Sequence, residues 1–313
     1  AGHVYTAATN ALPSYVSTPE YDCSVQAYRP HSWDFVGGTW SFDRHGYYEM
    51  LVPSGSFRVV TSDFPGYLGI AYSNYYRWEW DDVQDWPRGD SVLVTTNGAA
   101  GIDFYLPPAA WIRGRVQGGA TNLAGVEVRA YVWQGGDEFA YRSEMRSAPD
   151  GTYALAVPEG TNYCVFAEDP TDGRFWIGQW YFDGTNGAGL TMFAVYTNAP
   201  ATNIDFHLVL GGAIQGTVRQ ADGSTPIPNT YVEVQATNRD YAGDDDTAAD
   251  GSYRAVVAAG RYFVRTEPDG EIAQYYSNCY DYQWQNANVV TVQVGQAVSN
   301  IDFVMFSPCR IEG

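Results

Sequence analysis

The 313-residue chain contains no lysine: all 17 of its basic residues are arginine, set against 36 acidic ones, for a formal net charge of -19. So acidic a chain argues against nucleic acid as a partner, because that affinity rests on neutralising phosphates with lysine and arginine. For the same reason it argues against anionic membrane surfaces. No run of eighteen or more apolar residues occurs, which excludes a membrane-spanning helix. No stretch reads as a signal peptide, so the N-terminus is expected to be that of a mature chain. Cys-x-x-Cys pairs are absent, which disfavours a zinc site. The four histidines, His3, His31, His45 and His207, lack metal-ligand spacing, and there is no Gly-x-Ser-x-Gly nucleophile element. No Asn-x-Ser/Thr sequon is present. No segment sustains a capped 3.6-residue apolar period, so almost no helix is expected.

What is present repeats. The composition, 45% hydrophobic and 16% aromatic, is ample for several small cores. Blocks recur with a period of about 100 residues, the size of a β-sandwich. An apolar alternation, Val25-Gln26-Ala27-Tyr28, is matched by Val128-Arg129-Ala130-Tyr131 and Val234-Gln235-Ala236-Thr237. A turn with an aromatic follows: Gly46-Tyr47-Tyr48, Asp150-Gly151-Thr152-Tyr153 and Asp250-Gly251-Ser252-Tyr253. Then come Val52-Pro53-Ser54-Gly55, Val157-Pro158-Glu159-Gly160 and Val257-Ala258-Ala259-Gly260, each leading into a further strand. Each copy closes on Ile-Asp-Phe, at Ile102, Ile204 and Ile301. The copies therefore run over 1–108, 109–210 and 211–306. Alternation and Asp-Gly turns allow little but hairpin-connected strands. In the second copy strands are expected near 112–118, 126–132, 153–158, 163–167 and 192–196. Three tandem Ig-like, all-β, antiparallel sandwiches are the expected architecture.

The two complete copies open on Ile-x-Gly-x-Val, at Ile112 to Val116 and Ile214 to Val218. The tail 307–313 carries Ile311-Glu312-Gly313, eight residues after Phe303, as Ile112 follows Phe104 and Ile214 follows Phe206. The first copy opens on Ala1-Gly2-His3-Val4, with no Ile-x ahead of its glycine. The tail thus resembles the first strand of a further copy, which the first copy has only in part. A remnant of a cleavage tag would also fit those three residues.

Together, Ile-x-Gly-x-Val, Asp-Gly-x-Tyr and Val-Pro-x-Gly-x-Tyr-x-Val resemble the carboxypeptidase regulatory-like, transthyretin-like β-sandwiches, relatives of Cna-B repeats. The resemblance spans the whole chain in three copies and implies a seven-stranded, prealbumin-like sandwich. It implies an extracellular or cell-surface setting: stalks, adhesins and accessory modules of secreted enzymes. Fold alone selects none of these. Many Cna-B domains are locked by a Lys–Asn isopeptide bond, and without lysine that bond cannot form here.

The cysteines Cys23, Cys164, Cys279 and Cys309 allow three pairings, and an extracellular setting favours disulfides. Cys23 lies two residues before Val25 and Cys309 two before Ile311, so both are expected to point into a core. Cys164 matches Arg58 and Phe263 and is expected to point outward. Asp103, Asp205 and Asp302 recur at one place in every copy, which reads as a structural hydrogen bond and not as catalysis. Asp244-Asp245-Asp246 lacks the Asp-x-Asp-x-Asp-Gly spacing and reads as a solvated acidic loop. Aromatics occur in equivalent connections: Trp78, Trp80 and Trp86; Trp176 and Trp180; Tyr276, Tyr280 and Trp284. They fit sugar stacking, protein contact or capping of each domain's own core.

Two functions compete. The preferred one is a non-enzymatic, cofactor-free subunit of an extracellular filament that assembles head to tail with itself. In it the tail supplies a strand to the first domain of the next subunit, through Gly2, Val4, Cys23, Cys309, Ile311 and Gly313. Self-repulsion at this charge requires that assembly come from specific contacts. The alternative is a carbohydrate-binding or spacer region of a larger secreted enzyme or adhesin.

Overall fold

Alternation decides the structure locally. In Thr152–Val157 and Ser252–Val257 every second residue is buried. Tyr153, Leu155 and Val157 therefore face a core, as do Tyr253, Ala255 and Val257. The Asp-Gly turns ahead of these strands hold Gly151 and Gly251 at φ +78°, which glycine adopts without a Cβ penalty. The structure, a computed structural model, describes residues 1–6, 23–30, 34–40, 46–62, 66–72, 75–76, 89–136, 138–168, 175–182, 190–269, 272–277 and 279–306.

Among the described residues six sheets pair off around three main cores, and a small fourth cluster gathers Phe263, Tyr275 and Cys279. The first core draws on residues from Val4 to Leu106, the second from Ala110 to Leu208 and the third from Ile214 to Met305. In the second sandwich one sheet is built on Ala110–Gly118, which pairs with Thr152–Val157 and Phe206–Leu210. The facing sheet runs Glu138–Arg146, Glu127–Gly135, Gly160–Ala167 and Gln179–Trp180, with Phe193–Val195 also on Gly160–Ala167. The first and third repeat this plan around Gly2–Thr6 and Ser24–Tyr28, and around Gly212–Arg219 and Tyr231–Ala236. Among the described residues the only helix is one 3-10 segment, Asp281–Asn286.

The strands expected in the second copy appear as Ala110–Gly118, Glu127–Gly135, Thr152–Val157, Gly160–Ala167 and Phe193–Val195. Glu138–Arg146 was not anticipated; it is a sheet edge that carries Glu138, Arg142, Glu144 and Arg146. Charges on an edge strand mask its apolar period and also guard it against stray pairing.

Among the described residues the sheets are antiparallel except along the opening strand of each sandwich, which lies parallel to the last strand and, in the third, also to Ala297–Val298. Val4 pairs with Phe104, Val116 with Phe206 and Val218 with Phe303. Parallel first and last strands bring the chain in at one pole and send it out at the other. Short junctions follow, pinned by backbone bonds: Leu68 N to Pro107 O and Ala109 N to Gly66 O, both 2.9 Å, and Gly211 N to Phe175 O, 2.7 Å.

Candidate assembly site

The repeated motifs converge on one constellation in every sandwich. The hydroxyls of Tyr48, Tyr153 and Tyr253 donate to the carbonyls of Ile102, Ile204 and Ile301 at 2.7, 2.6 and 2.7 Å. The aspartate after each isoleucine accepts from the opening strand: Asp103 from His3 N, Asp205 from Arg115 N and Asp302 from Thr217 N, each at 2.8 Å. The recurring aspartates are therefore structural acceptors. Burial, reinforced by the neighbouring aspartate, pushes the hydroxyl pKa of all three tyrosines far above the ordinary range, so they remain donors. The glycine of the opening motif is sterically required. A Cβ on Gly2, Gly114 or Gly216 would lie 2.1, 1.9 or 2.0 Å from the same isoleucine carbonyl oxygen.

Around this constellation the described residues of the three copies differ in the strand that precedes the glycine. In the second sandwich Ala110, Trp111 and Ile112 pair with Val157, Ala156 and Leu155. On the other side Ala201 N donates to Trp111 O at 3.0 Å, and Arg113 N donates to Ala201 O at 2.9 Å. Gly212, Ala213 and Ile214 pair with Val257, Val256 and Ala255 in the third, and Ile112 and Ile214 are fully buried. In the first sandwich Gly2 pairs with Tyr48 and His3 with Tyr47, which sets Met50, Leu51 and Val52 in the places of Leu155, Ala156 and Val157. Ala1 N bonds Ala99 O at 2.8 Å, as Arg113 N bonds Ala201 O. Among the described residues no strand pairs with Met50 to Val52. A cavity of about 370 Å³ opens there, lined by Met50, Val52, Val59, Val92, Ala99 and Ile102. It reaches the first core at the level where Ile112 and Ile214 fill theirs.

Of the residues singled out from sequence, Gly2 and Val4 lie on the strand beside this cavity, both buried. Cys23 is buried at the other end of the first core, its thiol 3.5 Å from Ser62 O. Cys309, Ile311, Gly313, Trp78, Trp80 and Trp86 lie outside the described residues. Reading the repeats alone did not reveal the open edge from Glu49 to Val52. The signal was available: Tyr48 to Val52 matches Tyr153 to Val157 residue by residue, while the partner strand does not.

Three expectations need correction. The described cysteines form no disulfide: Cys23, Cys164 and Cys279 carry thiols, and each belongs to a different sandwich. Cys164 points to the outer side of its sheet but is buried there: Tyr131 pairs beside it, and Tyr131, Phe139 and Phe166 cluster with Trp180 over that sheet face. Burial raises its pKa to about 11. Asp244 to Asp246 belong to the strand Tyr241–Asp246, not to a loop, and Asp245 accepts from Arg254 N at 2.6 Å. Burial raises the pKa of Asp245.

The aromatics divide by environment. Trp176 is 5% exposed within the second core, and Tyr276 packs on Phe303 in the third. Trp284 covers Phe263, with the Arg239 guanidinium 5.0 Å from its ring. Trp180 stacks on Phe139 at 5.0 Å, and Tyr280 on Phe306 at 4.3 Å.

The class is thus an all-β chain of sandwiches in series. No protein-family model matches it, and no curated protein does. Among solved structures it aligns with the Bacillus anthracis TIE protein over 97% of its length, at 13% identity and a TM-score of 0.25, and spans half of that protein. It aligns with shaft pilin SpaA from Lactobacillus rhamnosus GG over 66% of this chain and all of that one, at 10% identity and a TM-score of 0.27. A streptococcal ancillary pilin aligns over 93% of this chain and 97% of its own, at 13% identity and a TM-score of 0.27. Likeness this low carries no weight for function, and the fold rests on the pairing and cores described above.

Proposed function

We propose that the chain is a structural subunit, divided as 1–108, 109–210 and 211–306, of an extracellular filament. In this reading the tail 307–313 of one copy completes the first sandwich of the next. The observation that supports it is the open cavity beside Ala1, flanked by an unpaired edge and placed where the other sandwiches seat Ile112 and Ile214. Ile311 takes that position, and burying it contributes on the order of 2 kcal/mol. Each backbone bond to the Met50–Val52 edge adds roughly 1 kcal/mol. Ala1 and Gly2 already hold the places of Arg113 and Gly114, so the donor seats through Cys309, Arg310 and Ile311, and Glu312 and Gly313 turn away. A strand passed head to tail makes a heterologous contact, and such contacts build open filaments when they do not close into rings.

This register separates Cys309 from Cys23. Cys309 falls opposite Val52, before the start of Gly55–Thr61, whereas Cys23 sits by Ser62 beyond its end. Six residue steps at roughly 3.3 Å each put about 20 Å between them, beyond the reach of a disulfide. A carbohydrate-binding or spacer role draws less support, since Trp176 lies inside a core and Tyr276 packs against one.

The test is negative-stain imaging of the intact chain beside a variant lacking residues 308–313, with mass analysis of both under reducing, denaturing conditions. Filaments from the intact chain, and folded, unassembled molecules from the variant, are expected. Filaments of unchanged axial repeat after the deletion would refute the proposal. A denatured mass above one chain would instead show residues covalently joined ahead of Ala1 in the cavity.

A further inference from the structure

The acceptor edge has an outer face as well as an inner one. Leu51, on that face, is 92% exposed, the highest value among the described large hydrophobic residues. Its counterparts are small or covered: Ala156 lies directly opposite Trp111, and Val256 opposite Ala213. Glu49 stands two residues away on the same face, also exposed, and accepts a hydrogen bond from the Tyr47 hydroxyl at 3.3 Å. In the second sandwich, side chains two apart on the opening strand, whose place the donor would take, touch, with the Arg113 guanidinium 5.0 Å from the Trp111 ring. The outer face of the donor position therefore has both an apolar floor and a carboxylate within side-chain reach.

We infer that Glu49 and Leu51 form a receptor for Arg310 of a second copy, and that this pair sets which strand the cavity accepts. The inference rests on the assembly reading above. That register puts Arg310 in the place of Trp111, directly across from Leu51 and diagonal to Glu49. Diagonal cross-strand positions lie about 7–8 Å apart, a span that an arginine covers. Its methylene stem shields Leu51 from water while its guanidinium pairs with the carboxylate. Arg310 is the only basic residue of the tail 307–313. At a net charge of -19 two copies repel, so a matched charge at the contact offsets part of that repulsion and disfavours strands without it.

The test is a charge-reversal cycle in the full-length chain, read as the critical concentration for pelleting filaments. Glu49→Arg and Arg310→Glu should each raise it about tenfold, and the double reversal should restore it to within about threefold. Leu51→Ser should also raise it while leaving the melting of the unassembled chain unchanged, because Leu51 is already exposed there. High salt should narrow the gap between wild type and the single reversals. Single reversals that assemble like wild type, or a double reversal no better than the singles, would overturn the pairing. Ile311→Asp separates the two claims. If it abolishes assembly while the reversals have no effect, the cavity is filled by the tail but Arg310 does not select it. If it assembles normally, the cavity reading itself falls, and the pairing with it.

Discussion

Replacing Gly216 with alanine tests the constellation that defines each sandwich. Gly216 is not in the left-handed region. A smaller unfolded-state entropy would then stabilise the variant by about 0.4–1 kcal/mol if the methyl fitted. It does not fit: the new carbon would stand 2.0 Å from Ile301 O, 2.5 Å from Ile301 C and 3.0 Å from a Tyr253 ring carbon. Two backbone segments must part by about 1 Å to admit it. Three of the hydrogen bonds at that seam are Ile301 N to Gln215 O at 3.1 Å, the Tyr253 hydroxyl to Ile301 O at 2.7 Å and Thr217 N to Asp302 Oδ1 at 2.8 Å. At about 1 kcal/mol each their loss costs roughly 3 kcal/mol, leaving a net destabilisation of about 2–3 kcal/mol. For a sandwich of about 100 residues that lowers its melting transition by roughly 10–20 °C. Differential scanning calorimetry of the full chain should show one transition shifted and the others in place. Gly114→Ala should shift a different transition by a similar amount, since its Cβ would lie 1.9 Å from Ile204 O. A Gly216→Ala protein that melts within about 2 °C of wild type would refute the steric account.

Cys164 and Cys279 should resist alkylation at pH 8 without denaturant and react fully once unfolded, with no reductant needed. Because burial raises the Cys164 pKa to about 11, its stabilising contribution is complete below the unfolded thiol pKa and lost as pH rises through about 11. Chemical denaturation across that alkaline window would reveal the loss; a flat profile there would contradict it. Titration calorimetry with calcium should find no submicromolar site that disappears on replacing Asp244, Asp245 and Asp246. Asp245 is committed to the Arg254 amide, and its burial favours the neutral acid.

The strands were legible where one face alone is buried, as in Thr152–Val157, because a period of two is written directly into residue type. They were illegible where both faces are covered. Cys164, Phe166 and Phe263 sit on the outer side of their sheets, yet aromatics folded over from sequence-distant segments, Trp180 and Trp284, shield them. Parity predicts which way a side chain points, not whether something lies there to meet it. The repeated Ile-Asp-Phe and Ile-x-Gly motifs were visible as motifs. That they meet through one carbonyl, which tyrosine caps and glycine allows the chain to approach, required three dimensions. The open edge at Met50 to Val52 was hidden for a related reason: it consists of ordinary residues, distinguished only by having no partner strand among the described residues.

The parallel pairing of first and last strands also has a mechanical meaning. A sandwich pulled by its two chain ends is gripped on adjacent strands from opposite poles, Val116 drawn one way and Phe206 the other. Force along that axis slides the strands past one another, so the bonds between them share the load and must fail together. Were the two strands antiparallel, the same pull would open them one bond at a time, at far lower tension. The arrangement that lets sandwiches follow one another in line therefore also resists extension along that line.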